Sequence, residues 1–152
     1  MATTRELAFE QARAKWPGVA LDYGVWCAHL DALGWLGEPP ATSASLFLCC
    51  ACARQDPEAC SVLEQVYSSM RGEAARENAE EEFVDWVMQA VRQHLLGAPT
   101  PRISCYDGRR PLSDWLRLVV RRRALEQKLA DRAIAGTASV PPAEVRRIRE
   151  AR

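Results

Sequence analysis

The stretch "CYDGRRPLSDWLRLVVRRRALEQK", Cys105 to Lys128, combines a turn with a run whose apolar residues Leu112, Trp115, Leu116, Val119 and Val120 recur every three or four positions. That period is helical and places the side chains on one stripe. Arg110, Asp114, Arg117 and Arg121 fall on a polar strip opposite it, with Arg109, Arg122 and Arg123 close by. The strip can track phosphates, or be the solvated face of any helical bundle. Trp115 fits the apolar stripe better than a stacking platform.

The same period recurs along the chain, with no convincing run of alternating β-branched residues, so the fold class is all-α. The spacing predicts a helix from Arg5 to Lys15, with Leu7, Ala8 and Phe9 or Ala12 inward. "WPG" at Trp16 to Gly18 stops it. A second helix is expected from Asp22 to Leu33, and Gly34, Gly37 and Pro39-Pro40 break the chain after it. "LFLCCACAR" is apolar on nearly every side and reads as the central buried helix, starting at Ser43 or Ser45. Asp56-Pro57 is an N-cap followed by a proline suited to the first helical position. Ala59, Val62, Leu63, Val66, Tyr67 and Met70 then share a face. Gly72 and the charges to Glu82 read as a turn and an acidic helix start, and Phe83 to Leu96 as the helix that follows, with Phe83, Val84, Val87, Met88, Val91 and Leu95 at a period near 3.6. Gly136 to Pro142 reads as a linker and "AEVRRIREAR" as a short basic tail.

At 152 residues and 17.0 kDa the chain suits one domain, and its zero formal charge gives no global preference for an anionic partner. Locally the charge is uneven. From Asp56 to Asp85 nine acidic residues face Arg71 and Arg76, a balance of −7. From Arg102 to Arg123 seven arginines face Asp107 and Asp114, a balance of +5. No run reaches the roughly 20 apolar residues of a membrane span, and "MATTRELAFEQARAKW" has no signal-peptide core. A cytoplasmic location is the expectation, with the six cysteines as buried free thiols.

Catalytic and metal chemistry find no constellation. Cys27 and His29 are two apart and do not share a helix face, and no nucleophile elbow or phosphate loop is present. Cys49 and Cys52 form a C-x-x-C pair, but a zinc site needs two more convergent ligands, and Cys60, Cys105, His29 and His94 are irregularly spaced. Glu80, Glu81, Glu82 and Asp85 read as a solvated helix start. A non-enzymatic protein without metal or cofactor is expected.

Three stretches in order resemble a known family. "GRRPLSDWLRLVVRRRALEQK" is similar to the segment of extracytoplasmic-function sigma factors, within the sigma-70 family, where a Gly-Arg turn leads into a Trp-Leu helix with basic side chains. "LFLCCACARQDPEACSVLEQVY" resembles the family's opening helices, and "DWVMQAVRQHLL" the helix that begins Asp-x-Val. The resemblance covers about Leu46 to Lys128, the family's second conserved region. It implies a compact helical bundle over residues 45–135. Residues 1–44 lie outside the resemblance and are expected to be an extra helical section packed on the core, and residues 136–152 a linker and tail.

The resemblance also implies partners and sites. Asp85, Met88, Gln89 and Arg92 would face the clamp helices of the RNA polymerase β′ subunit. Tyr106, Arg109, Arg110, Arg117, Arg121 and Arg122 would engage the −10 element of promoter DNA as it melts, with Tyr106 an exposed aromatic for base stacking. Many members carry Asn where this chain has Arg122, and a Gln-Glu pair where Met88-Gln89 stand. The family's −35-reading helix-turn-helix has no room after Pro142. These departures keep a second expectation open: a sigma-derived interaction module, without promoter reading, that binds an anti-sigma or other regulatory protein.

Overall fold

The computed structural model describes residues 1–136, all of whose regular elements are helical. The reason for the architecture is the stretch Ser43–Ala53, which has no charged residue and forms helix α3. Eight of its eleven residues are buried, on every side of the helix. Such a helix must be covered all round. Helices α1 (Thr4–Lys15), α2 (Tyr23–Ala32) and α4 (Pro57–Ser68) pack against it together with a 3-10 turn, Arg102–Cys105. Alanine and cysteine at positions 49 to 53 are small enough to let neighbouring backbones approach.

Around this centre, α5 (Arg71–Ala75), α6 (Glu81–Leu96) and α7 (Leu112–Gly136) form a second group, joined by α5 and α6 packing on each other and both on α7. The stripe expected on α6 is realised in full: Phe83, Val84, Val87, Met88, Val91 and Leu95 are all buried. On α7 the buried residues are Leu112, Leu116, Val120, Ala124 and Gln127, with Trp115 and Val119 half-buried. Leu125 and Leu129, further along the helix, are exposed. Gln127 takes the inward place because its amide oxygen accepts the Trp86 indole N–H at 2.9 Å while its NH2 donates to Asp131 at 3.0 Å.

Local signals explain the helix ends. Thr3 and Asp22 cap α1 and α2 by accepting the amide hydrogens of Glu6 and Val25. Asp56 caps α4, accepting from Ala59 N at 2.9 Å, with Pro57 at the first position. Just before it, Gln55 ends α3 in the left-handed region at φ 66°, and the amides of Gln55 and Asp56 close back on the carbonyls of Cys52 and Ala51.

Two sequence expectations need correction. Leu7 is exposed, and Phe9 with Ala12 forms the buried face of α1. Phe9 alone fills the space, with its ring 5.2–5.7 Å from those of Tyr23, Trp26 and Phe47. The segment after Met70 is the short helix α5, because Ala74 is buried and holds the turn inward. Helix α7 ends at Gly136, at the start of the expected linker, and the rest of that linker and all of the basic tail lie outside the described residues.

The Asp56 cap supplies a test of this local logic. Asp56→Ala leaves the amide of Ala59 without its acceptor, and urea denaturation should show a loss of about 1 kcal/mol.

Candidate nucleic-acid interface

The turn before α7 is built by residues distant in sequence. The Trp35 indole N–H donates to Asp107 O at 2.7 Å, and the Thr42 hydroxyl donates to Gly108 O at 2.6 Å. Gly108 has φ +79°, and a Cβ there would stand 2.7 Å from Leu46 Cδ1 and 2.8 Å from Thr42 Oγ1. Only glycine fits both the conformation and the space. Asp107 Oδ1 accepts the amide N–H of Arg109 at 3.0 Å, closing the turn.

Tyr106 is a correction. Its side chain is fully buried, packs 5.4 Å from the Trp115 ring, and donates its hydroxyl to Arg110 O at 2.6 Å. It braces the turn from inside and has no face free for a base. Burial pushes its phenol pKa up, in keeping with a neutral donor. The aromatic on the outer side is Trp35, half-buried, with the Arg109 guanidinium 5.3 Å above its ring.

The arginines divide into two sets. Arg121 Nε lies 2.6 Å and Arg117 Nε 3.5 Å from the Glu73 carboxylate, which Arg76 also approaches at 3.6 Å. Arg117 also contacts Asp114 at 3.1 Å. These two arginines thus tie α7 to α5. Arg110 and Arg122 are exposed and have no ion-pair partner among the described residues. Arg109 pairs at 3.5 Å with its neighbour Asp107, and Arg123 at 3.5 Å with Glu126. The Glu73 carboxyl is held below its ordinary range, first by the hydrogen bond from Arg121 and then by the charges around it.

The expected docking face on α6 is likewise divided. Met88 is buried in the core because it continues the Val84–Val91 stripe. Asp85 is paired with Arg71 at 2.6 Å and Arg92 with Glu64 at 2.5 Å. Gln89 alone of the four is exposed and uncommitted, and it lines an open cleft of about 510 Å³ with Trp86, Gln93, His94 and Arg123. A neighbouring cleft of about 250 Å³ between α6 and α7 is formed by Val91, His94, Val119, Arg122, Arg123 and Glu126. His94 and Arg123 at this groove were not singled out as site residues. The signal was the charge density around Arg121–Arg123, but which α6 residues would face it depends on how the helices pack. The His94 pKa is lowered by burial first and then by the charges of Arg102 and Arg123, with Glu126 opposing them.

Compared with family models, curated proteins and solved structures, the chain has no match in any of the three.

The thiols are placed for packing. Cys49, Cys50 and Cys52 are buried, Cys27 and Cys60 half-buried, and Cys105 exposed, against the expectation that all would be enclosed. Burial raises the pKa of Cys49 and Cys52 and pushes Cys50 up to about 11, so these three remain protonated at neutral pH. Among the described residues no group of three His, Cys, Asp or Glu side chains could hold a metal, and no helix is long and apolar enough to cross a membrane.

Two outcomes follow from this geometry. Gly108→Ala must move Leu46 and Thr42 and occupy a left-handed conformation, and should cost about 2–4 kcal/mol in urea denaturation. For Glu73 the folded pKa lies below the unfolded value of about 4.3, so its stabilisation is present above that value and disappears as pH falls through the folded pKa. Glu73→Gln should therefore flatten the acid limb of the stability–pH curve, while thermal midpoints of the two proteins converge below that pKa.

Proposed function

We propose that the chain is a sigma-like transcription initiation factor that binds RNA polymerase and the −10 region of promoter DNA. The observation that best supports this reading is the pinned turn at Asp107–Pro111, which delivers Arg109 and Arg110 to the start of α7, with Arg122 and Arg123 further along it beside the α6–α7 groove. Guanidinium groups held on a pinned turn and on the helix that follows it suit a phosphate backbone. In this reading Arg110 and Arg122 make the primary phosphate contacts. Arg117 and Arg121, already occupied by Glu73, contribute less.

Base stacking by Tyr106 is no part of the proposal, since that ring is in the core. The polymerase-facing surface reduces to the exposed edge of α6 around Gln89, with Met88 removed from it. The same losses favour a second reading, in which the domain holds a regulatory protein and does not read promoters.

Capture of core RNA polymerase by the immobilised chain and binding to a forked promoter fragment across a salt series separate the two. Polymerase should be retained, and Gln89→Arg should weaken retention without weakening DNA binding. Arg110→Ala with Arg122→Ala should reduce the slope of log affinity against log salt by about 2, one phosphate contact each. Arg117→Ala with Arg121→Ala should change it less. A chain that ignores both polymerase and DNA would sink the initiation-factor reading.

A further inference from the structure

The face of α7 turned away from the core is unusual for a solvated surface. Leu118, Leu125 and Leu129 are 40%, 46% and 53% exposed. At about 100° per residue they align with Arg122 and Arg132 along the side of the helix opposite Leu112, Leu116, Val120 and Ala124. The row 118, 122, 125, 129, 132 alternates steps of four and three, the spacing of a seam on which a second helix packs. A single exposed leucine needs no explanation, whereas three in register form a patch of the kind that marks an interaction site.

The charges in the row indicate the occupant. Arg122 and Arg132 have no ion-pair partner among the described residues. A parallel second copy would set Arg122 against Arg122 in a desolvated seam. An antiparallel copy would likewise bury Arg122 and Arg132 in a seam that carries no carboxylate of its own. The chain's own residues 137–152 carry Arg146, Arg147, Arg149 and Arg152 against Glu144 and Glu150, again the wrong sign. Arg122 and Arg132 are ten residues apart, roughly 15 Å along the helix.

We propose that Leu118, Leu125 and Leu129 form a docking seam for an acidic amphipathic helix of a partner protein. The partner's apolar side chains pack between the three leucines, and its carboxylates, about three turns apart, meet Arg122 and Arg132. The seam stands independently of the promoter reading. Because Arg122 serves both, the acidic helix and DNA exclude one another at that residue.

The test uses the full chain and two synthetic helical peptides of three heptads with leucine at the seam positions, one with glutamate and one with lysine at the flanking positions, followed by fluorescence anisotropy. The glutamate peptide should bind at least ten-fold tighter than the lysine peptide. Leu125→Gln with Leu129→Gln should weaken it at least ten-fold at unchanged helicity, and Arg122→Glu with Arg132→Glu should reverse the preference between peptides. Equal affinity for the two peptides, or indifference to the leucine substitutions, would overturn the proposal. So would a leucine-dependent dimer in sedimentation, which assigns the seam to a second copy. A ten-fold gain in peptide affinity on Val145→Asp with Ile148→Asp would assign it to the chain's own tail.

Discussion

The burial of α3 on all its sides is the constraint from which the rest of the structure follows. A helix without a charged residue cannot lie on a surface, so four elements from three parts of the chain must close over it. Large side chains at its start, Leu46, Phe47 and Leu48, fill the space toward α1, α2 and the α7 turn, and the small residues after them allow close packing where α3 hands over to α4. Phe9, Trp26 and Tyr106 owe their positions to the need to cover this helix and its flanks.

Ion pairs do a different job, setting how the outer helices lie on one another. Arg71–Asp85, Arg92–Glu64, Lys128–Glu77 and the Glu73 cluster each join separate elements across the surface. Individually such exposed pairs contribute little to stability. Their larger effect is on availability, because an arginine that answers an internal carboxylate is a weaker ligand for an external anion. The acidic run and the basic run of the sequence are thus partly each other's partners, and the neutral total reflects contacts within one molecule as well as two separately addressed faces.

Much of the fold could be read directly from residue order. The period of Phe83 to Leu95, the Asp56-Pro57 start and the apolar run at Leu46 are local properties, and local properties survive folding unchanged. The site was less legible because its geometry is non-local. Tyr106 sits in a polar, glycine-bearing turn, which by composition belongs outside. It is enclosed because the turn is pulled onto α3 by Trp35 and Thr42, more than sixty residues earlier. Met88 has two places open to it: spacing by three and four sets it equally well with Asp85 and Arg92 or with Val84 and Val91, and packing puts it with the second pair. Leu125 and Leu129 continue a helical period but lie too far around the helix from Leu116 to share its face.

The Trp35 and Thr42 bonds also bear on what counts as a module in this protein. Both residues belong to the section before α3, yet they hold Asp107 and Gly108 and so set the direction in which α7 leaves the turn. A fragment cut at residue 45 would keep every arginine of the basic helix and lose the hinge points that aim them. The unit that can be transplanted or exchanged intact is therefore larger than the basic helix and its turn, and its boundary is drawn by two hydrogen bonds.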